Sequence, residues 1–125
     1  ENARPRKRYF SANTQAAVYA LYYDAMRQRI ETMGTENFPS AAGNKLYGEL
    51  TMIITVNYDG QVLSAEVARS SGNRTLDRRA QTIAKTAGPF GPFNTAMRRE
   101  FDQYAVVASF RFTRDETVEL RLAAP

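Results

Sequence analysis

Between residues 49 and 58 apolar and polar side chains alternate, with Leu50, Met52, Ile54, Val56 and Tyr58 on one side and mostly polar residues on the other. A period of two marks a strand with one buried face. Asp59 and Gly60 follow, a pair that tolerates the positive φ angles of a two-residue type I′ turn, and the alternation resumes to about Arg69. Such a turn pairs Tyr58 with Gln61. Counting outward, it sets Val56 opposite Leu63, Ile54 opposite Ala65 and Met52 opposite Val67, while Thr55 meets Ser64 and Thr51 meets Ala68. Apolar then meets apolar on one face only, and a slip of one residue mixes the faces, so the pattern predicts a hairpin over 49–69 in this register.

A helical period replaces the alternation on either side. From Asn13 to Met33 apolar residues recur at Val18, Leu21, Tyr22, Ala25, Met26, Ile30 and Met33, with Asp24, Arg27, Gln28, Arg29 and Glu31 largely opposite. This predicts an amphipathic helix capped by Ser11 or Asn13 and released at Gly34 through a left-handed residue. After a turn at Ser70-Ser71-Gly72-Asn73, a second stripe of Leu76, Ala80, Ile83, Ala84 and Ala87 predicts another helix. Asn73 or Thr75 is expected to cap it and Gly88-Pro89 to stop it, with Arg78, Arg79, Gln81 and Lys85 on its solvated side. Pro89-Phe90-Gly91-Pro92-Phe93 reads as a packed loop with room for a helical turn over 95–101. Alternation returns from Tyr104 to Thr113, with Val106, Ala108, Phe110 and Phe112 facing one way and Val107, Ser109, Arg111 and Thr113 the other. Thr117 to Leu122 alternates too and is a candidate short fourth strand.

The order helix, hairpin, helix, strand predicts an α+β fold: a three-stranded antiparallel sheet in the order 2-1-3, with two helices on one face. The third long strand is then an edge. Its unpaired N–H and C=O groups await either internal cover by 117–122 or an added strand from a partner, and the two can exchange.

Charge and chemistry narrow the function. The chain has 125 residues and a formal charge of +4, of which Arg4, Arg6, Lys7 and Arg8 against Glu1 supply most. Residues 1–12 read as the end of a basic linker and 13–125 as one domain. A basic tail on a near-neutral body argues against a nucleic-acid-binding α/β domain, although Tyr47 or Tyr58 would be its stacking residue. The chain has neither cysteine nor histidine, which removes thiol and imidazole chemistry and the usual zinc ligands. Glu49, Glu66, Asp77 and Asp102 form no recognisable acid–base pair, so no catalytic residue, metal ligand or cofactor is expected. The chain starts at Glu1 and has no apolar run long enough for a membrane span, which suggests a soluble fragment whose anchor lies elsewhere.

The ordered set Phe38-Pro39, Gly48 before a long strand, Asp59-Gly60, Ser70-Ser71-Gly72, Leu76-Asp77, Ala80 and Pro89-Phe90-Gly91-Pro92-Phe93, followed by Phe110-Arg111-Phe112, resembles the C-terminal domain of TonB-family energy transducers. The resemblance covers about residues 15–113. It implies a periplasmic domain of a Gram-negative protein, held in the inner membrane by an absent N-terminal helix and driven by ExbB and ExbD. Its partners would be TonB-dependent outer-membrane receptors for siderophores, haem or cobalamin, each offering a TonB box. That peptide would add as a strand beside Val106, Val107, Ala108, Ser109, Phe110, Arg111 and Phe112. Ser109 and Arg111 would face it with polar groups. Asn37 and Phe38, in Thr35-Glu36-Asn37-Phe38-Pro39, stand where the family makes a second receptor contact. A TolA-type envelope-integrity domain, which shares the general fold, is the alternative within this class.

Overall fold

The elements follow in the order β1 (Lys7–Phe10), α1 (Ala17–Glu36), β2 (Ser40–Ala41), β3 (Asn44–Lys45), β4 (Gly48–Asn57), β5 (Val62–Arg69), α2 (Arg74–Ala87), α3 (Thr95–Glu100), β6 (Gln103–Phe112) and β7 (Val118–Leu122). The computed structural model describes residues 4–13 and 17–124. The three long strands lie in the order β5-β4-β6, each antiparallel to its neighbour. The sheet does not stop at three strands: β1 and β7 both pair with the outer side of β6, making a mixed sheet of five.

Alternation fixes the buried face. Leu50, Met52, Ile54 and Val56 of β4 and Val106, Phe110 and Phe112 of β6 are almost wholly buried, in one core with Met26 and Ile30 of α1 and Leu76, Ala80 and Ala84 of α2. Each large side chain so buried contributes about 1.5–3 kcal/mol. Met97 of α3, a third helix, joins them.

The hairpin departs from the expected register at two places. Ile54 faces Ala65, Met52 faces Val67 and Thr55 faces Ser64, but Val56 faces Val62 rather than Leu63, and Thr51 faces Arg69 rather than Ala68. The cause at the turn is a three-residue loop. The Asn57 N–H donates to Gln61 O, the Gly60 N–H donates to Asn57 O, and only Gly60 takes a positive φ, of 90°. A loop of this length ends in a glycine bulge, which adds one residue to β5 and turns Leu63 outward. Leu63 is consequently 51% exposed. The loop is also held from outside: Gly60 O and Tyr58 O accept from the N–H groups of Phe90 and Phe93, and a Cβ on Gly60 would stand 2.5 Å from Gly91 O. The two left-handed residues expected here occur instead at Ala42 and Gly43, between β2 and β3.

In α1, Tyr19, Met26, Ile30 and Gly34 face inward, whereas Leu21, expected on the apolar stripe, is 81% exposed. The predicted start of this helix falls partly on 14–16, outside the described residues; the Ser11 hydroxyl accepts from Asn13 N–H. Gly34 does not end the helix. It lies inside α1, where a Cβ would come within 2.7 Å of Val118 Cγ2, so its small size lets β7 approach. Asn73 caps α2, its side chain accepting from Thr75 and Leu76 N–H. Asp77 accepts from the Ser70 and Ser71 hydroxyls and Ser71 N–H. Burial pushes the Asp77 carboxyl up, but these donors outweigh it and hold it below the usual carboxylate range. The Ser-Ser-Gly and Leu-Asp elements thus fasten the strand-to-helix corner together.

Candidate peptide-binding edge

β6 is regular over ten residues: β4 pairs with it from Gly48↔Phe112 to Asn57↔Gln103 without a shift. Its other side, for which the sequence offers either internal cover by 117–122 or an added partner strand, is closed from end to end. Gln103 to Val106 pair in parallel with Lys7 to Phe10, and Ala108 to Phe112 pair antiparallel with Leu122 to Val118. The gap between the two covers is bridged as well: Ala123 N–H donates to Val107 O at 2.9 Å, and Ala12 N–H donates to Ala123 O at 3.1 Å. Every member of the expected binding edge, Val106 through Phe112, therefore has a backbone neighbour on its outer side. An apolar ten-residue edge is a strong template, and the two ends of the described chain satisfy it.

The covers are held by different means. β7 is fastened to α1: Val118 packs on Gly34, Val118 N–H donates to Thr35 Oγ1 at 3.2 Å, and Leu120 N–H donates to Glu31 Oε2 at 2.8 Å. Helix side chains thus occupy amide groups that would otherwise continue the ladder outward. β1 is held at Arg6 and Phe10. The Arg6 guanidinium meets Asp102 and the carbonyls of Arg98 and Arg99, and Arg6 O accepts from the Asp102 and Gln103 N–H groups. Hydrogen bonds from the Arg6 side chain and Arg6 N–H hold the Asp102 carboxyl below the usual range. Phe10 is 1% exposed, against Tyr19, Tyr23 and Tyr104. Burial pushes the Tyr23 hydroxyl up to about 12 and the Tyr104 hydroxyl further, so these rings stay neutral.

The side chains of β6 divide as expected. Phe110 and Phe112 lie in the core, while Arg111 is exposed and the Ser109 hydroxyl donates to Glu49 Oε2 at 2.7 Å. Arg111 faces Glu49 across one strand and Glu119 across the other, so the uncovered sheet face here alternates in charge. Asn37 and Phe38 have structural work in this state: the Asn37 amide donates to Met33 O at the end of α1, and Phe38 packs against Tyr47 and Phe112. Glu49, Asp77 and Asp102 are each engaged by a different partner, and Glu66 is exposed on β5. Arg6 and Phe10 were missed by sequence reading. Lys7-Arg8 followed by the adjacent aromatics Tyr9 and Phe10 has no strand period, and the groups that hold the two anchors lie on distant elements.

Residues 19–110 match the family model described as TonB C terminal. The chain belongs to the TonB C-terminal family. Protein TonB of Pasteurella multocida (strain Pm70) is 31% identical over 93 residues, covering 74% of this chain and 34% of that relative. The chain therefore spans about a third of the length of the curated relative it matches. No solved structure matches. The TonB match takes in nearly all of β6 but neither of the strands that cover it, since β1 ends at Phe10 and β7 begins at Val118.

Proposed function

We propose that this domain is the periplasmic receptor-gripping end of a TonB-type energy transducer. In this reading it couples the inner-membrane proton motive force, through ExbB and ExbD acting on segments outside this chain, to outer-membrane receptors for siderophores, haem or cobalamin. The receptor's TonB box enters as a strand on the outer side of β6, in exchange for β1 or β7. One observation carries the reading: among the described residues the strands that pair β6 on that side are short, of four and five residues, and both lie outside the stretch shared with the family. A short outer strand can be exchanged for an incoming peptide, whose main-chain hydrogen bonds take the place of its own. Several ladder bonds loaded together also suit a pull. The polar side of the groove is formed by Ser109 and Arg111.

The test is an amide NMR titration with TonB-box peptides, a scrambled peptide, and one carrying proline at a ladder position, which lacks the N–H donor. Shifts concentrated at Val106 to Phe112, lost on scrambling or with proline, are expected. An unchanged spectrum at millimolar peptide overturns the proposal.

A further inference from the structure

The Gln103–Val106 half of the edge has features that the other half lacks. β1 touches it through two specific anchors four residues apart, about 13 Å in extended chain. The first is a cup for a guanidinium. Arg6 Nη1 donates to Arg99 O at 2.9 Å, Arg6 Nη2 donates to Arg98 O at 3.0 Å and to Asp102 Oδ1 at 3.2 Å, and Arg6 Nε donates to Asp102 Oδ2 at 3.3 Å. The carbonyls belong to the last turn of α3, where helix C=O groups lack partners within the helix. A planar fork with several fixed donors fits such a cup, whereas an ammonium fills only part of it. The second anchor is the aromatic socket of Tyr19, Tyr23 and Tyr104, taken by Phe10. Between the anchors Lys7, Arg8 and Tyr9 are exposed; Arg8 Nη1 also donates to the Tyr19 hydroxyl at 3.0 Å and meets Glu100 at 3.6 Å, and the main chain adds the parallel ladder.

We propose that this half-edge is a recognition subsite for an extended partner segment that runs parallel to β6 and carries an arginine followed, four residues later, by an aromatic residue. β1 is its internal occupant. The inference rests on the reading of β6 as a peptide-binding edge and adds to it a direction, a half of the strand and a sequence preference. An occupant tethered to its own site competes at high effective concentration, so a partner must match both anchors to displace it. The latch therefore rejects apolar strands that would add anywhere by backbone bonds alone.

The full chain tests this with a synthetic peptide of residues 4–12 as probe, followed by amide shifts. In the Phe10→Ala chain the internal occupant is weakened, and the peptide is expected to bind at Gln103 to Val106 at least about tenfold more tightly than to the unaltered chain. The same peptide carrying Arg6→Ala should bind about tenfold more weakly, having lost the charge-assisted bonds. A Tyr9→Cys/Ala105→Cys chain, which joins two facing residues in a protein without other cysteines, should lose the peptide when oxidised and regain it when reduced. Equal binding by the oxidised and reduced forms, shifts away from Gln103–Val106, or indifference to Arg6 overturns the proposal. TonB-box peptides that bind the oxidised chain at Ala108 to Phe112 would also sink the subsite while leaving the receptor-gripping function standing. Probe binding without any TonB-box binding would do the reverse.

Discussion

At one side of the sheet β5 stands with no strand beyond it among the described residues, while at the other β6 is paired along its whole length. The two strands differ as templates. β5 is broken by two register shifts, turns Leu63 outward, exposes Glu66 and Arg69, and has the Ala65 carbonyl taken by Gln81 Nε2 at 2.8 Å. A bent, charged and partly occupied edge offers little to an incoming strand. β6 is regular, apolar and long, and it is kept closed by pieces held through a few side chains. Among the described residues a poor template is left uncovered and a good one is covered by two short strands. Under the proposed function, then, the peptide-binding edge is marked by a neighbour that exchanges and not by an absent one.

The largest test of that contrast is Phe10→Ala. Emptying the aromatic socket should cost β1 docking about 3–5 kcal/mol. Hydrogen exchange at Gln103 to Val106 is expected to accelerate by two orders of magnitude or more while β5 amides stay unchanged. Equal acceleration at both edges would mean that the sheet opens as a unit. Next comes Gly34→Ala, which sets a methyl against Val118 and should loosen β7 by about 1–3 kcal/mol, read as faster exchange at Ala108 to Phe112. Gln81→Ala frees one carbonyl on β5 and should cost about 0.5–1.5 kcal/mol by urea unfolding, with no self-association in sedimentation. Dimers would show that this edge needs active defence.

The smallest effect is that of pH. The Asp102 carboxyl titrates lower in the folded chain than in the unfolded one. Its contribution to β1 docking is therefore complete above the unfolded value near ~3.9 and is lost as pH falls through the depressed folded value. Exchange at Gln103–Val106, corrected for intrinsic rates, should rise between pH 5 and pH 3 relative to β5. Asp77 follows the same sign, but at the start of α2, so residue-resolved readout separates the two. Exposure and salt screening keep the Asp102 effect modest.

The central sheet was legible because β4 and β6 alternate strictly and bury one face each. The register error at Val56 arose because Val62 and Leu63 are both apolar, so alternation carries no mark of the added residue. Gly34 reads equally well as a helix stop or as a place for another element to approach, and only the packing of Val118, 84 residues later, decides. β6 was legible as a long strand in need of cover. Its two covers were not equally so. β7 has its own alternation, whereas β1 is made a strand by a socket and a cup built from residues of α1, α3 and β6.

That separation also orders events during synthesis. Lys7 pairs with Gln103, 96 residues further along the chain. At ribosomal rates of roughly 5–20 residues per second, β1 emerges about 5–20 s before its template exists. The β4–β5 hairpin and α2 are local enough to form in that interval, while Phe10 waits in water with a basic run beside it. Charged neighbours favour its solvation, and since β7 follows β6 by only a few residues, both halves of the edge can close almost together.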